Sequence, residues 1–153
     1  MSFLVKTPQL IIELIRALWW KQPFGSLMLH DKIETRTWYT SYRGLVLICT
    51  SKASYSQQTV ESISGPVQFK RLINELKNDE TLDFEGYAIA VGRLVDCRPM
   101  VKADEDKTFV AYNPDLYCHI YEDVTPIKPF EIKGCQGWKK LEADIWDKIE
   151  FVN

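Results

Sequence analysis

Apolar and polar positions change their spacing several times along the chain. Leu45 to Thr50 is an unbroken apolar and β-branched run, which predicts a strand covered on both faces. The stretch from Ile11 to Trp20 fits two periods. Ile11, Leu14, Ile15 and Leu18 make a helical stripe, while Ile15, Ala17 and Trp19 alternate as a strand does. Pro23 breaks this stretch and predicts a short helix from Pro23 to about His30, because proline suits a first helical turn and not an interior. Ile33 to Trp38 reads as a strand, with Gly44 marking the turn into the next one.

Further on, Ser54 to Glu61 is a short polar helix or a loop, and Val67 to Lys77 has a helical face of Leu72, Ile73 and Leu76. Gly86 to Cys97 is the clearest long strand, with Gly92 placed for a bulge or bend. Val101 to Lys107 reads as a solvated acidic loop and Tyr117 to Val124 as another strand. A last helix over about 138–150 would align Trp138, Leu141, Ile145 and Ile149. Strands with scattered short helices and no alternating βαβ rhythm predict an α+β fold, a small mixed β-barrel with flanking helices, in one domain over residues 1–153.

Composition narrows the function classes. A chain of 153 residues needs no metal or disulfide framework to fold, and 46% hydrophobic with 26% charged residues predicts no long disordered tail. Lys and Arg total 19 against 21 Asp and Glu, so nucleic-acid binding would have to use a local pocket and not a global field. Glu13 and Arg16 interrupt the early apolar tract, so it does not read as a signal peptide. No window approaches the ~20 apolar residues of a bilayer-spanning helix. Cys49, Cys97, Cys118 and Cys135 are far apart, with no paired spacing for zinc. Reduced cysteines, a cytoplasmic location, and neither membrane association nor a cofactor or metal are the expectations.

On a strand from Ile33, alternation puts Glu34, Arg36 and Trp38 on one face. A two-oxygen acceptor, a planar donor fork and a stacking ring are what the edge and face of a nucleobase require. A solvated ion pair on an edge strand accounts for Glu34 and Arg36 equally well. Arg43 precedes the Gly44 turn. Ser51 and Lys52 close the buried strand at a barrel rim, where side chains are held rigidly yet open to solvent. Lys21 and Gln22 sit ahead of a helix N-terminus, and Lys133 opens a Gly-rich segment ending at Trp138. Neither segment has the order of a phosphate-binding P-loop, and no nucleophile elbow or histidine triad is present.

Taken in order, several segments resemble the marks of the ASCH domain, a family in the PUA-like superfamily. They are Ala17 to Phe24, Ile33 to Trp38, Tyr42 to Gly44, Ser51 with Lys52, the strand from Gly86 closed by Asp96 to Pro99, Asp123 to Pro129, and Lys133 to Trp138. The resemblance covers about Leu14 to Trp138 and implies a small β-barrel with a cleft, linked to RNA binding and, in some members, to RNA cleavage or amide hydrolysis of a modified cytidine. Gln22 with Pro23, Glu34 with Arg36, Tyr42 to Gly44 and Ser51 with Lys52 match the family's motifs. Phe24 stands where tryptophan is common. In the amidohydrolases a lysine and a threonine serve catalysis, and the matching positions here hold Asp31 and Glu34. Lys32 comes one place late, a slip that in an extended segment moves a side chain to the other face.

The expected function is therefore binding of single-stranded RNA or a modified nucleotide in a cleft lined by Lys21, Gln22, Glu34, Arg36, Trp38, Arg43, Ser51, Lys52 and Lys133. One alternative is a hydrolase, a ribonuclease or an amidohydrolase of N-acylated cytidine, with Glu34, Lys52 and Lys21 as catalytic groups. Another is a protein-binding adaptor whose cleft is vestigial and whose partner meets an aromatic exterior.

Overall fold

The structure, a computed structural model, describes residues 15–141 and 143–152. Its centre is a six-stranded mixed sheet. The strands are β1 (Arg16–Trp20), β2 (Glu34–Arg36), β3 (Gly44–Thr50), β4 (Tyr87–Pro99), β5 (Tyr117–Glu131) and β6 (Lys139–Lys140), in the spatial order β2-β5-β4-β3-β1-β6. Only β1 and β3 run parallel; every other pairing is antiparallel. Of the two periods open for Ile11 to Trp20, the strand period prevails over the described part, and residues 11–14 lie outside the described residues.

Alternation along β1 and β3 divides the interior into two cores. Leu18, Trp20, Val46 and Ile48 face one cluster, and Ala17, Trp19, Leu45, Leu47 and Cys49 face the other. All seven residues of β3 are buried, as its unbroken apolar run predicts. The sheet curls strongly into a half-barrel. β2 is one edge and β1 lies beside the other, yet Arg36 Nη2 donates to the Trp19 carbonyl at 3.0 Å, which requires the sheet to bring its ends round. The curl is aided by three register shifts between β4 and β5, one of them between Val91 and Arg93 at Gly92, where a bend was expected.

The helices flank this sheet. α1 (Phe24–Leu27) continues into a 3₁₀ turn, Met28–His30, which matches the short helix predicted after Pro23. α2 (Gln57–Ser64) begins at Ser56, whose hydroxyl accepts from Thr59 N at 3.2 Å, and it ends at Gly65, before Pro66 opens α3 (Pro66–Glu75). Leu72 and Leu76 point inward from α3, but Ile73 is 52% exposed, so the apolar face is narrower than its spacing suggests.

Two segments differ from their sequence reading. Val101 to Lys107 is not a solvated loop. It folds into a 3₁₀ turn, Lys102–Asp104, and α4 (Glu105–Thr108), anchored by buried Asp104, which accepts from Arg98 through two 2.8 Å bonds. The predicted last helix is instead the two-residue β6 and a 3₁₀ segment, Ala143–Lys148. β1 has an open edge there, and Lys139 and Lys140 fill it by pairing with Ala17 and Arg16, so backbone pairing prevails over the helical stripe. Ile145 and Ile149 still bury together, joined by Trp146. Among the described residues no helix is long and apolar enough to cross a membrane.

Candidate functional site

Where the curled sheet brings β1 and β2 together, their side chains and those of the neighbouring loops enclose a cavity of about 470 Å³. β1 contributes Trp19 and Trp20 from its end, β2 contributes Glu34, Thr35 and Arg36, and Lys32 and Trp38 flank β2. Phe24, Tyr55 and the loop from Cys135 to Gly137 add further wall, and Lys21 and Ser51 complete it from the strand ends.

Its charged part is a triad of two buried side chains, Lys32 and Glu34, and the half-buried Arg36. Lys32 and Glu34 are 3% and 5% exposed, and Lys32 Nζ lies 3.1 Å from Glu34 Oε1. Arg36 Nε is 3.0 Å from Glu34 Oε2, an ion contact whose N–H is not directed closely enough at the oxygen to count as a hydrogen bond. Thr35 N also donates to Glu34 Oε1 at 3.0 Å. Burial pushes the Glu34 carboxyl up, but Lys32 and Arg36 outweigh it and hold the group below the ordinary carboxylate range. Burial lowers the Lys32 ammonium, with Glu34 acting against that shift. Glu34 is thus a fixed negative charge that positions two cations.

The correction at Lys32 is specific. A one-residue slip was expected to take this side chain to the wrong face, yet it lines the cavity and Asp31 is exposed. Asp31 adopts a left-handed conformation, φ 61°, at the end of the 3₁₀ turn, so the segment before β2 is not extended and strand parity does not apply to it. From β2 onward Glu34, Arg36 and Trp38 all line the cavity as alternation predicts, and Thr35 and Thr37 also border it.

Aromatic packing fixes the rest. Trp38 meets His119 edge-on at 4.8 Å and Trp138 at 5.6 Å, and the Arg36 guanidinium lies 5.0 Å from the Trp20 ring centroid. His119 is fully buried opposite Glu34 in register, and its Nε2 is 2.9 Å from the Trp38 carbonyl. Burial lowers its pKa, so a neutral ring donates through Nε2–H. The indole nitrogens of Trp19 and Trp20 are buried and have no acceptor among the described residues.

Of the residues predicted to line the cleft, Lys21, Glu34, Arg36, Trp38 and Ser51 meet here. Lys52 and Lys133 line a neighbouring cavity instead. Gln22 is a buried brace: its amide nitrogen donates to Ser26 Oγ at 2.9 Å and Thr81 O at 3.0 Å, and its oxygen accepts from Ser26 N. Arg43 folds onto its own turn, donating to Thr40 O and Tyr42 O, and does not reach the cavity. Sequence reasoning left out Trp19, Trp20, Lys32 and Tyr55. The tandem tryptophans were visible in the resemblance, but Tyr55 had no signal because only the loop after β3 brings it near, with Lys21 Nζ 5.1 Å from its ring. Among the described residues no group of three His, Cys, Asp or Glu side chains is placed to hold a metal ion. No protein-family model and no curated protein sequence matches the chain.

Proposed function

We propose that this cavity binds a nucleobase of single-stranded RNA or of a modified nucleotide. The observation that carries the proposal is the Lys32–Glu34–Arg36 triad, built on a buried Lys32–Glu34 pair, on the wall of an aromatic-lined cavity. A buried ionic cluster is a weak source of stability, since apolar replacements of similar volume are often neutral or stabilising, so its place at a cavity points to a ligand. The free hydrogen-bonding capacity is donor-rich. Lys32 uses its ammonium on Ile33 O and Glu34 and has one hydrogen left, and Arg36 has further N–H groups beyond its bond to Trp19 O. Glu34 already accepts from Lys32 and Thr35 and is in ion contact with Arg36, so the ligand meets mainly donors. Bases that present carbonyl oxygens, uracil, cytosine and guanine, suit this wall better than adenine.

The adaptor reading has less support. Trp19, Trp20 and Trp146 are buried, Trp38 and Trp138 half-buried, and among the described residues the exposed large apolar side chains are Val67 and Ile73 on α3 and, from other segments, Tyr39, Val101, Tyr112 and Val152. Hydrolysis is the second reading, favoured by one observation: a lysine whose burial lowers its pKa stands beside a carboxylate at a cavity. In that reading Lys32, and not Lys52 or Lys21, is the partner of Glu34.

Titration with single-stranded RNA, single-stranded DNA and modified nucleosides tests binding. Uridine- or cytidine-rich RNA is expected to bind more tightly than oligoadenylate. Affinity no better than about millimolar for every ligand, ~4 kcal/mol, refutes the proposal. Mass spectrometry of labelled RNA and N-acylated cytidines incubated with wild type and Glu34→Gln decides between binding and hydrolysis. Turnover that falls at least ~100-fold in the variant establishes the second reading.

A further inference from the structure

Beyond Trp19, Ser51, Cys135 and Gln136 the base cavity adjoins a second, larger one of about 1010 Å³. These four residues line both spaces, so the two are neighbouring stretches of one groove. The second is lined by two lysines, Lys52 and Lys133, and two carboxylates, Glu85 and Glu131. The charges are not equivalent. Glu85 accepts from the Ser54 hydroxyl and Glu131 from that of Tyr87 at 3.3 Å, whereas among the described residues neither lysine has an ion pair or a side-chain hydrogen bond.

Lys52 is nevertheless held in place. Gly86 has φ +83°, and a Cβ there would lie 2.9 Å from Lys52 Cγ and 3.5 Å from Cε, so the aliphatic stem runs along the glycine and carries the ammonium to the cavity. At the shared wall, Trp19 is only 7% exposed and its indole N–H has no acceptor among the described residues. The loop backbone lies against that edge at Gly134, where a Cβ would be in ordinary van der Waals contact, 3.5 Å from the indole nitrogen.

We infer that the second cavity seats a phosphodiester adjoining the bound base, so the groove takes a nucleotide within a strand in preference to a free nucleoside. This rests on the nucleobase reading of the first cavity. A sugar bonded to a base in the first space carries its phosphate only a few bonds away, into the second. A diester has a single negative charge and two unesterified oxygens, which suit two ammonium donors. Glu85 and Glu131 oppose a doubly charged terminal phosphate more strongly than a diester.

The test compares uridine, cytidine and adenosine with their homopentanucleotides, in wild type and in the Lys52→Met/Lys133→Met double variant, by titration at several salt concentrations. Both lysines are exposed, so the variant keeps the fold. In the wild type, the pentanucleotide of the best-bound base is expected to bind at least about tenfold more tightly than its nucleoside, with a log–log salt slope near −0.7 per phosphate neutralised. In the variant that ratio falls to within about threefold and the slope becomes shallower. Equal affinity for nucleoside and pentanucleotide in the wild type, or a ratio unchanged in the variant, overturns the phosphodiester seat and leaves base binding standing. No binding by any of the six probes refutes the base reading, and the seat with it.

Discussion

Glu34 is the residue on which the local electrostatics turn, because both Lys32 and Arg36 depend on it and, among the described residues, neither has another carboxylate in contact. Replacing the acceptor therefore differs from replacing a donor. Glu34→Met leaves two cations in a buried setting without compensation, a loss in the range of ~3–5 kcal/mol for broken buried pairs. Lys32→Met leaves Glu34 with Arg36 and the Thr35 amide, and puts an apolar chain where the ammonium stem already lies near the Phe24 ring. Urea denaturation is expected to show the Glu34 variant as clearly the less stable, with the Lys32 variant near the wild type. The opposite order would mean that Lys32, not Glu34, organises the cluster. That Glu34, Arg36 and Trp38 turn to one space was legible in the sequence. That Lys32 belongs to it was not, because one left-handed residue, Asp31, cancels the parity by which the positions were sorted.

At the scale of elements, β4 and β5 make the curl through their bulges, and Gly92 occupies the tightest point. A Cβ at Gly92 would lie 3.0 Å from Val124 Cγ2 and 3.2 Å from Tyr121 Cδ2. Tyr121 is itself packed edge-on against Trp20 at 6.0 Å, so it has little room to yield. Gly92→Ala is expected to cost about 1–3 kcal/mol as an overpacking substitution and to lower the thermal midpoint by several degrees. An unchanged midpoint would show that the bend absorbs a methyl group. Element type was well predicted where an apolar run was long or a proline stood at a boundary, as in β3, β4 and α1. It was misread at residues 139–148, where an amphipathic stripe competes with an unpaired strand edge that no local window contains.

For the molecule as a whole, the groups with resolved shifts that carry buried charge or a buried imidazole lean the same way in pH. Burial lowers the His119 pKa from its ordinary value of 6.5, so below about pH 7 the unfolded chain takes up a proton that the folded one refuses. Stability falls as pH drops through that window. A second loss follows lower down, as Glu34 and then Asp104, which the Arg98 guanidinium holds down at about 2, must be protonated from below the ordinary carboxylate range. The urea midpoint is expected to decrease from pH 7.5 to pH 5, and His119→Gln, which can still donate to the Trp38 carbonyl, should flatten that first leg. A wild-type midpoint that is constant from pH 7.5 to 5 would show that His119 titrates alike in both states. The sequence by itself determined the α+β class, the buried central strand, the bend at Gly92, and a charged and aromatic segment, since each rests on neighbours a few positions apart whose spacing sets which way they face. Only the tertiary structure decided that Gln22 braces a helix, that Arg43 serves its own turn, that Lys52 and Lys133 share a second cavity, and that Trp19 stands between the two. Those outcomes depend on how far the sheet curls and which strand ends it brings together, and residues far apart in the chain carry no local pattern of that closure.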